Sequence, residues 1–332
     1  MDGADMTTSG QDRISLIKFT MSSKELAINV KLSSKPRIGI LGGGVIGVTC
    51  ADKISQELHN IHVTLISDKF SPHTTGDVAA GLWCEYLTGS DQCQEKLYKW
   101  LKESFEAIEQ LYFGQDAALA GVTQLSGYRI DNKPYEPLFW QNIVHGFRHL
   151  TEEELLVYGD NYKGGLNFTS YTAECPKMLP YLMSKFANRG GKTFKYKAEN
   201  LHQLIGHFDV LINCTGINAS QVVPDPSVIP IRGQVMKVKA PWVKHFVLDD
   251  YKGNYLIPNI DSVILGGTSN YGNYNLTAES KDAHKIWQGC CQLLPSIKSS
   301  KVLSHHVGLR PGRHCVRLER ETLYKSTSDK ME

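Results

Sequence analysis

The stretch Arg37-Ile38-Gly39-Ile40-Leu41-Gly42-Gly43-Gly44-Val45-Ile46-Gly47 decides how this chain folds. Its first half, RIGIL at 37–41, is a short apolar run of the kind that makes a buried strand, and it feeds directly into glycines. Residues 45–58 then carry apolar side chains at helical spacing (Ile46, Cys50, Ile54, Leu58), and 61–66 returns as a strand. Strand, glycine turn and helix in that order place the GxGxxG pattern of Gly42, Gly44 and Gly47 where a dinucleotide binds. Gly42 permits the tight turn, Gly44 lets a pyrophosphate approach the backbone, and Gly47 lets helix pack on strand. The helix N-terminus at Val45 and Ile46 offers unpaired N–H groups and positive potential to phosphates. A ribose next needs a carboxylate, and Asp68 in Ile66-Ser67-Asp68-Lys69, just past the second strand, stands where one belongs. This turn does not separate FAD from NAD, because both present the same adenosine diphosphate half.

The 332 residues suffice for two domains of ordinary size. Basic and acidic residues nearly balance, 36 against 34, and are spread along the chain, so no stripe of charge points to nucleic acid or a membrane. No run of about 18 apolar residues occurs, and the opening MDGADMTTSGQDR lacks a signal-peptide core, so a soluble intracellular protein is expected. Eight cysteines without a CxxC pair fit a reducing compartment better than a disulfide framework or zinc site, and no metal is expected.

Residues 1–36 lack a clear period and read as a mobile leader. Residues 90–113 carry Leu97, Trp100, Leu101, Phe105, Ile108 and Tyr112 at helical spacing. Strand-like sequence covers 122–130, a capping box starts a helix at Thr151-Glu152-Glu153-Glu154, a helix covers 178–188, and 208–213 is a buried strand. Strands at 234–239, 255–257 and 263–265 and a helix over 278–294 follow. The pattern predicts an α/β chain of two domains, a Rossmann-like nucleotide-binding domain interleaved with an antiparallel β-rich substrate domain. The first would take 37–85 and 161–230, the second 86–160 and 231–316, with 317–332 as a polar tail.

The segment from the ribose acid onward, Asp68-Lys69-Phe70-Ser71-Pro72-His73-Thr74-Thr75-Gly76-Asp77-Val78-Ala79-Ala80-Gly81-Leu82-Trp83, closely resembles its counterpart in the D-amino-acid and D-aspartate oxidases. Agreement continues at His145-Gly146-Phe147-Arg148, Glu174-Cys175-Pro176, Asn213-Cys214-Thr215-Gly216, Arg232-Gly233-Gln234, Ala240-Pro241-Trp242, Leu265-Gly266-Gly267 and Gly308-Leu309-Arg310-Pro311. The resemblance implies FAD as cofactor, with Gly42, Gly44, Val45, Ile46, Gly47, Asp68, Lys69 and Ala198 toward its nucleotide half. It puts Thr74 and Thr75 at the pyrophosphate and the backbone of Ala80, Gly81 and Leu82 at the flavin ring. Where that family has Thr or Ser after the second threonine, this chain has Gly76.

The same resemblance assigns Arg310 to a two-pronged grip on the substrate carboxylate and Tyr255 to a share in it, with Tyr251 as a lid aromatic. It implies oxidative deamination: the Cα hydride of a D-amino acid passes to flavin, the imine is hydrolysed to a 2-oxo acid and ammonia, and molecular oxygen yields hydrogen peroxide. His305 and His306 read as strand residues outside that chemistry. The sequence looks closer to the D-aspartate oxidase branch, through Ser67-Asp68-Lys69-Phe70 and Pro241-Trp242-Val243. Yet the lid arginine of that branch is matched by Leu248, which leaves Lys252 as the near cation and only a modest preference for D-aspartate and D-glutamate over neutral D-amino acids. Partners are then the amino acid and oxygen, and the resemblance is compatible with a homodimer. Family members continue into a glycine- and histidine-rich turn and a closing helix that this sequence stops short of, so an impaired form acting as a flavin-binding or interaction protein is the alternative. The resemblance implies a peroxisomal location, while the end Asp329-Lys330-Met331-Glu332 carries no such address and fits the cytoplasm.

Overall fold

The computed structural model describes residues 13–16, 35–89 and 93–324. The chain divides into two compact units: Met1–Lys69 with Ser184–Pro224 and Arg317–Glu332, and Phe70–Met183 with Asp225–Val316.

In the first unit a six-stranded sheet runs in the order Glu321–Tyr324, Arg13–Leu16, Val210–Asn213, Arg37–Gly43, His62–Phe70, Lys192–Lys195. Only Glu321–Tyr324 pairs antiparallel among the registers described, with Arg13–Leu16; that strand and Arg37–Gly43 both run parallel to Val210–Asn213. Ile38, Ile40 and Leu41 are buried as the apolar run requires, and Leu41, Ile66, Leu201, Leu204, Leu211 and Val222 form a common core. Two four-residue strands thus lie where sequence suggested a leader and a polar tail; the rest of 1–34 and of 325–332 falls outside the described residues. The helix Val45–Glu57 buries Gly47, Val48, Ala51 and Ile54, whereas Ile46 is 63% exposed. The expected apolar stripe through Ile46 and Cys50 is therefore rotated, because Gly47 has to face the strand.

In the second unit a nine-stranded sheet runs Asn270–Tyr271, Ile229–Lys239, Val263–Gly266, Asn254–Pro258, Phe246–Asp249, Val122–Asp131, Gly164–Ala173, His145–His149, and Lys301–Gly312 also pairs with Ile229–Lys239. It is antiparallel except where Phe246–Asp249 lies parallel to Val122–Asp131. One face packs on the helix Ser280–Leu293: Met236, Val247, Leu256 and Leu265 meet Ile286, Cys290 and Leu293. Arg232 fixes the start of that helix while wholly buried. Its Nε donates to the Asn275 carbonyl (2.8 Å), Nη1 to Asp282 (2.7 Å), and Nη2 to Gln234 (3.1 Å) and the Thr277 carbonyl (2.8 Å).

The unit boundaries fall elsewhere than the sequence pattern placed them. Gly164–Ala173 pairs with Val122–Asp131 along its whole length, so it belongs with the β-rich unit, and 70–85 goes with it. The long helix is Gln94–Phe113, and Phe105 seats it through rings at 5.0 Å from Trp83 and 5.1 Å from Tyr171. The expected capping box is formed: Glu154 N–H donates to Thr151 Oγ1 (3.2 Å) and Thr151 N–H to Glu154 (2.9 Å).

Candidate functional site

In the first unit the glycine turn has the shape its residues dictate. Gly42 has φ +120°, and a Cβ there would fall 2.2 Å from the Cys214 carbonyl oxygen; one on Gly47 would fall 1.8 Å from the Gly42 oxygen. Gly44 is different, since a Cβ there meets nothing within 4 Å. No side chain caps the helix that follows, and its first turn carries no acid. An uncapped helix start beside open space suits a pyrophosphate, whose charge the N–H groups and helix dipole would balance. Asp68 and Lys69 lie inside the strand His62–Phe70, which is longer than expected, rather than past its end. Ser67 Oγ donates to the Lys69 carbonyl (2.7 Å), holding this strand end in shape. The Ala198 side chain is buried in the core with Leu41 and Ile66, which leaves its backbone as the part that could face a ligand.

In the second unit Thr74 and Thr75 open a short 3-10 turn, Thr75–Val78. Both hydroxyls already donate within the protein, Thr74 to the buried Asp77 (2.7 Å) and Thr75 to the Leu309 carbonyl (3.2 Å). Asp77 also accepts the Thr74 N–H (2.8 Å) and the Ser71 hydroxyl (2.5 Å). A Cβ at Gly76 would stand 2.9 Å from the Cys175 sulfur, so glycine accompanies the close approach of Cys175. Gly81, with φ +76°, and Leu82 then run alongside the strand Gly164–Ala173: Ala173 N–H donates to the Gly81 carbonyl (2.9 Å) and Trp83 N–H to that of Tyr171 (2.8 Å). Asn259 Nδ2 donates to the Ala80 carbonyl (2.9 Å), which completes the brace on this backbone.

Arg310 and Tyr255 come together on the sheet face opposite the helix. The guanidinium lies over Gly233, where a Cβ would fall 2.3 Å from Nη1, and Nη1 donates to the Thr268 carbonyl (3.2 Å). The Tyr255 ring lies over Gly266 and Gly267, within hydrogen-bonding reach of Arg310. Burial pushes the Tyr255 phenol up to about 12 even though the Arg310 charge opposes the shift, so it stays protonated at neutral pH. Tyr86 completes the group: its ring stands 5.8 Å from the guanidinium carbon and its hydroxyl pairs with Ser269 (3.0 Å). Nothing in the sequence singles out Tyr86 or Thr268. Arg232-Gly233-Gln234 stands out in the sequence only as a family likeness, yet Gly233 makes room for Arg310 and Gln234 N–H donates to Thr268 Oγ1 (2.8 Å).

Two expected residues lie apart from this group. Tyr251 is half exposed and its ring contact is Tyr162, at 6.2 Å. Lys252 turns toward the helix side, where Nζ donates to Gln292 (3.3 Å) and stands 5.8 Å from the Tyr162 ring. It is not a cation of the Arg310 face. Leu248 does share that face, directly opposite Tyr255 in the register. His305 and His306 sit in the strand Lys301–Gly312, and His306 Nε2 pairs with Ser304 Oγ at 2.8 Å.

Residues 37–324 match the family described as DAO, FAD dependent oxidoreductase. Human D-aspartate oxidase is 38% identical over 86% of this chain and 84% of its own length. The D-amino acid oxidase of Dugesia ryukyuensis is 34% identical over 86% of this chain and 85% of its own. Glycine oxidase from Geobacillus kaustophilus superposes with a TM-score of 0.67 over 83% of both chains at 17% identity, which is a likeness of fold. Glycine turn, uncapped helix and these matches together define a flavin-dependent oxidoreductase. The chain belongs to the DAO family, and its cofactor is FAD.

Proposed function

We propose that the protein oxidises D-amino acids to 2-oxo acids with release of ammonia and hydrogen peroxide, and that D-aspartate and D-glutamate are preferred modestly over neutral D-amino acids. The observation that carries this reading is the Arg310–Tyr255 pair, a fixed cation and a protonated phenol over a glycine floor. A guanidinium grips a carboxylate through two parallel N–H bonds, and a neutral phenol adds a third donor. Such a grip orients the Cα–H without any strong side-chain base, since positioning supplies most of the rate in a direct hydride transfer. The amino group needs only to be neutral so that its lone pair can follow the departing hydride.

FAD, when bound, supplies the hydride acceptor. In the first unit Gly42, Gly44, Gly47 and the N–H groups at Val45 and Ile46 are assigned to its pyrophosphate, Asp68 to its ribose, and Lys69 with the Ala198 backbone to its nucleotide end. In the second unit Thr74 and Thr75 keep the pyrophosphate role, and the braced backbone of Ala80, Gly81 and Leu82 the flavin-ring role, that the family resemblance implies; with both hydroxyl protons and the Thr74 N–H committed, the threonines would offer the Thr75 N–H or oxygen lone pairs. The two relatives named above, a D-aspartate and a D-amino acid oxidase, support the substrate class. Purified protein supplied with FAD should release peroxide on addition of D-aspartate, D-glutamate or D-alanine and not their L-forms; silence with every D-amino acid while FAD is bound would refute it.

A further inference from the structure

We infer that Arg129 is the second cation of the substrate site, the group that takes the distal carboxylate of a dicarboxylic D-amino acid. The inference rests on reading Arg310 and Tyr255 as the grip on the α-carboxylate.

The sheet register puts the two cations on one face. Arg129 is paired with Leu248, Leu248 with Tyr255, Tyr255 with Gly266, Gly266 with Val235 and Val235 with His306. Residues paired across strands point the same way, so this row shares a face, and Arg310 joins it four residues beyond His306 at the same parity. The alternate row, Met236, Leu265, Leu256 and Val247, faces the helix core instead. Two strand steps separate Arg129 from Tyr255, roughly 10 Å between backbones. Leu248 lies in the gap and offers an apolar floor. The segment after Trp83 connects the two: Cys84 feels the charge of Arg129, and the Tyr86 ring stands 5.8 Å from the Arg310 guanidinium carbon.

The hydrogen bonding of Arg129 is that of a group left open on one side. Its Nε donates to Asp250 Oδ2 (2.7 Å), which also accepts the Tyr135 hydroxyl (2.9 Å), and its guanidinium lies 5.9 Å from the centre of the Trp140 ring. Its two terminal nitrogens have no acceptor among the described residues, although the side chain is only 15% exposed. Arg232 shows how the same unit treats a purely structural arginine, with four acceptors around it. A half-buried guanidinium with a free fork matches a carboxylate in geometry as well as charge. Asp250 and Tyr135 orient it, and Trp140 backs it.

Arg129→Gln tests this with two readouts. The ratio of kcat/KM for D-aspartate over D-alanine should fall about 30-fold, as expected for truncating one partner of a largely desolvated charge pair. The Kd for succinate, an unreactive dicarboxylate probe, should rise by a similar factor in calorimetry, while that for propionate holds within about threefold. An unchanged ratio with unchanged succinate binding overturns the assignment, and so does an equal fall for both substrates. Should thermal melting or flavin content show that R129Q does not fold, R129K carries the same test, since it keeps the charge and loses the fork. If the unsubstituted protein oxidises no D-amino acid, the proposed function falls and this inference with it; if it oxidises both and only the ratio fails to move, the assignment of Arg129 alone is wrong.

Discussion

The Tyr255 ring lies over Gly266 so closely that a Cβ at 266 would stand 2.0 Å from its Cζ. The phenol is placed by the absence of a side chain beneath it as much as by any bond. Gly266→Ala should push the ring off its seat, cost about 1–3 kcal/mol of stability as overpacking does, and lower kcat/KM for every D-amino acid. Thermal melting and steady-state kinetics check it; unchanged kinetics would mean that the position of Tyr255 does not matter.

The glycine turn separates folding from cofactor binding. A methyl at Gly47 collides with the Gly42 carbonyl, while one at Gly44 meets open space. Gly47→Ala should destabilise the protein with and without FAD. Gly44→Ala sits at a helix N-cap, where the change from glycine costs about 0.5–1 kcal/mol, so the flavin-free protein should lose much less stability than with Gly47→Ala while FAD binding weakens. Equal effects of both substitutions on the flavin-free protein would contradict this.

Those two glycines also show what was legible in the sequence. Arg37 to Gly47 is local, since strand, turn and helix follow one another and each glycine has its reason within a few residues. Sheet register is not local: nothing in the spacing of Gly164–Ala173 announces that it pairs with Val122–Asp131, so the unit boundary was misplaced. Arg310 and Tyr255 were found by resemblance to a family. Tyr86 and Arg129 were not, because each is marked only by its neighbours across strands or loops far away in the chain. Lys252 was favoured for closeness in sequence to Leu248, and a turn sends it to the other face.

Arg310→Lys should lower kcat/KM for D-aspartate and D-alanine alike, by about 100-fold, because the fork is lost and the charge retained. This uniform loss contrasts with the selective one expected at Arg129. A loss confined to dicarboxylates would reverse the two assignments.

Alkaline pH should act on stability before it acts through Tyr255. The folded-state value of about 12 lies above the ordinary tyrosine value near 10, so the folded state holds this proton more tightly than the unfolded chain. The associated stability is complete below about pH 10 and is lost as pH rises toward 12; Tyr171, also raised to about 12 by burial, adds in the same direction. Denaturant unfolding should show a decline above pH 10 that is shallower in Tyr255→Phe. The kcat/KM profile of Y255F below pH 10 should have the shape of the original at a lower level. Loss of an alkaline limb in that range would show that the phenol ionises during turnover.

The central claim is oxidation of a D-amino acid at a flavin, and its most direct test is anaerobic mixing of the FAD-loaded protein with single enantiomers. D-aspartate and D-alanine should bleach the visible absorbance of oxidised flavin, and L-aspartate and L-alanine should leave it unchanged. Flavin that stays oxidised with every D-amino acid, or that the L-forms reduce as fast, would contradict the account.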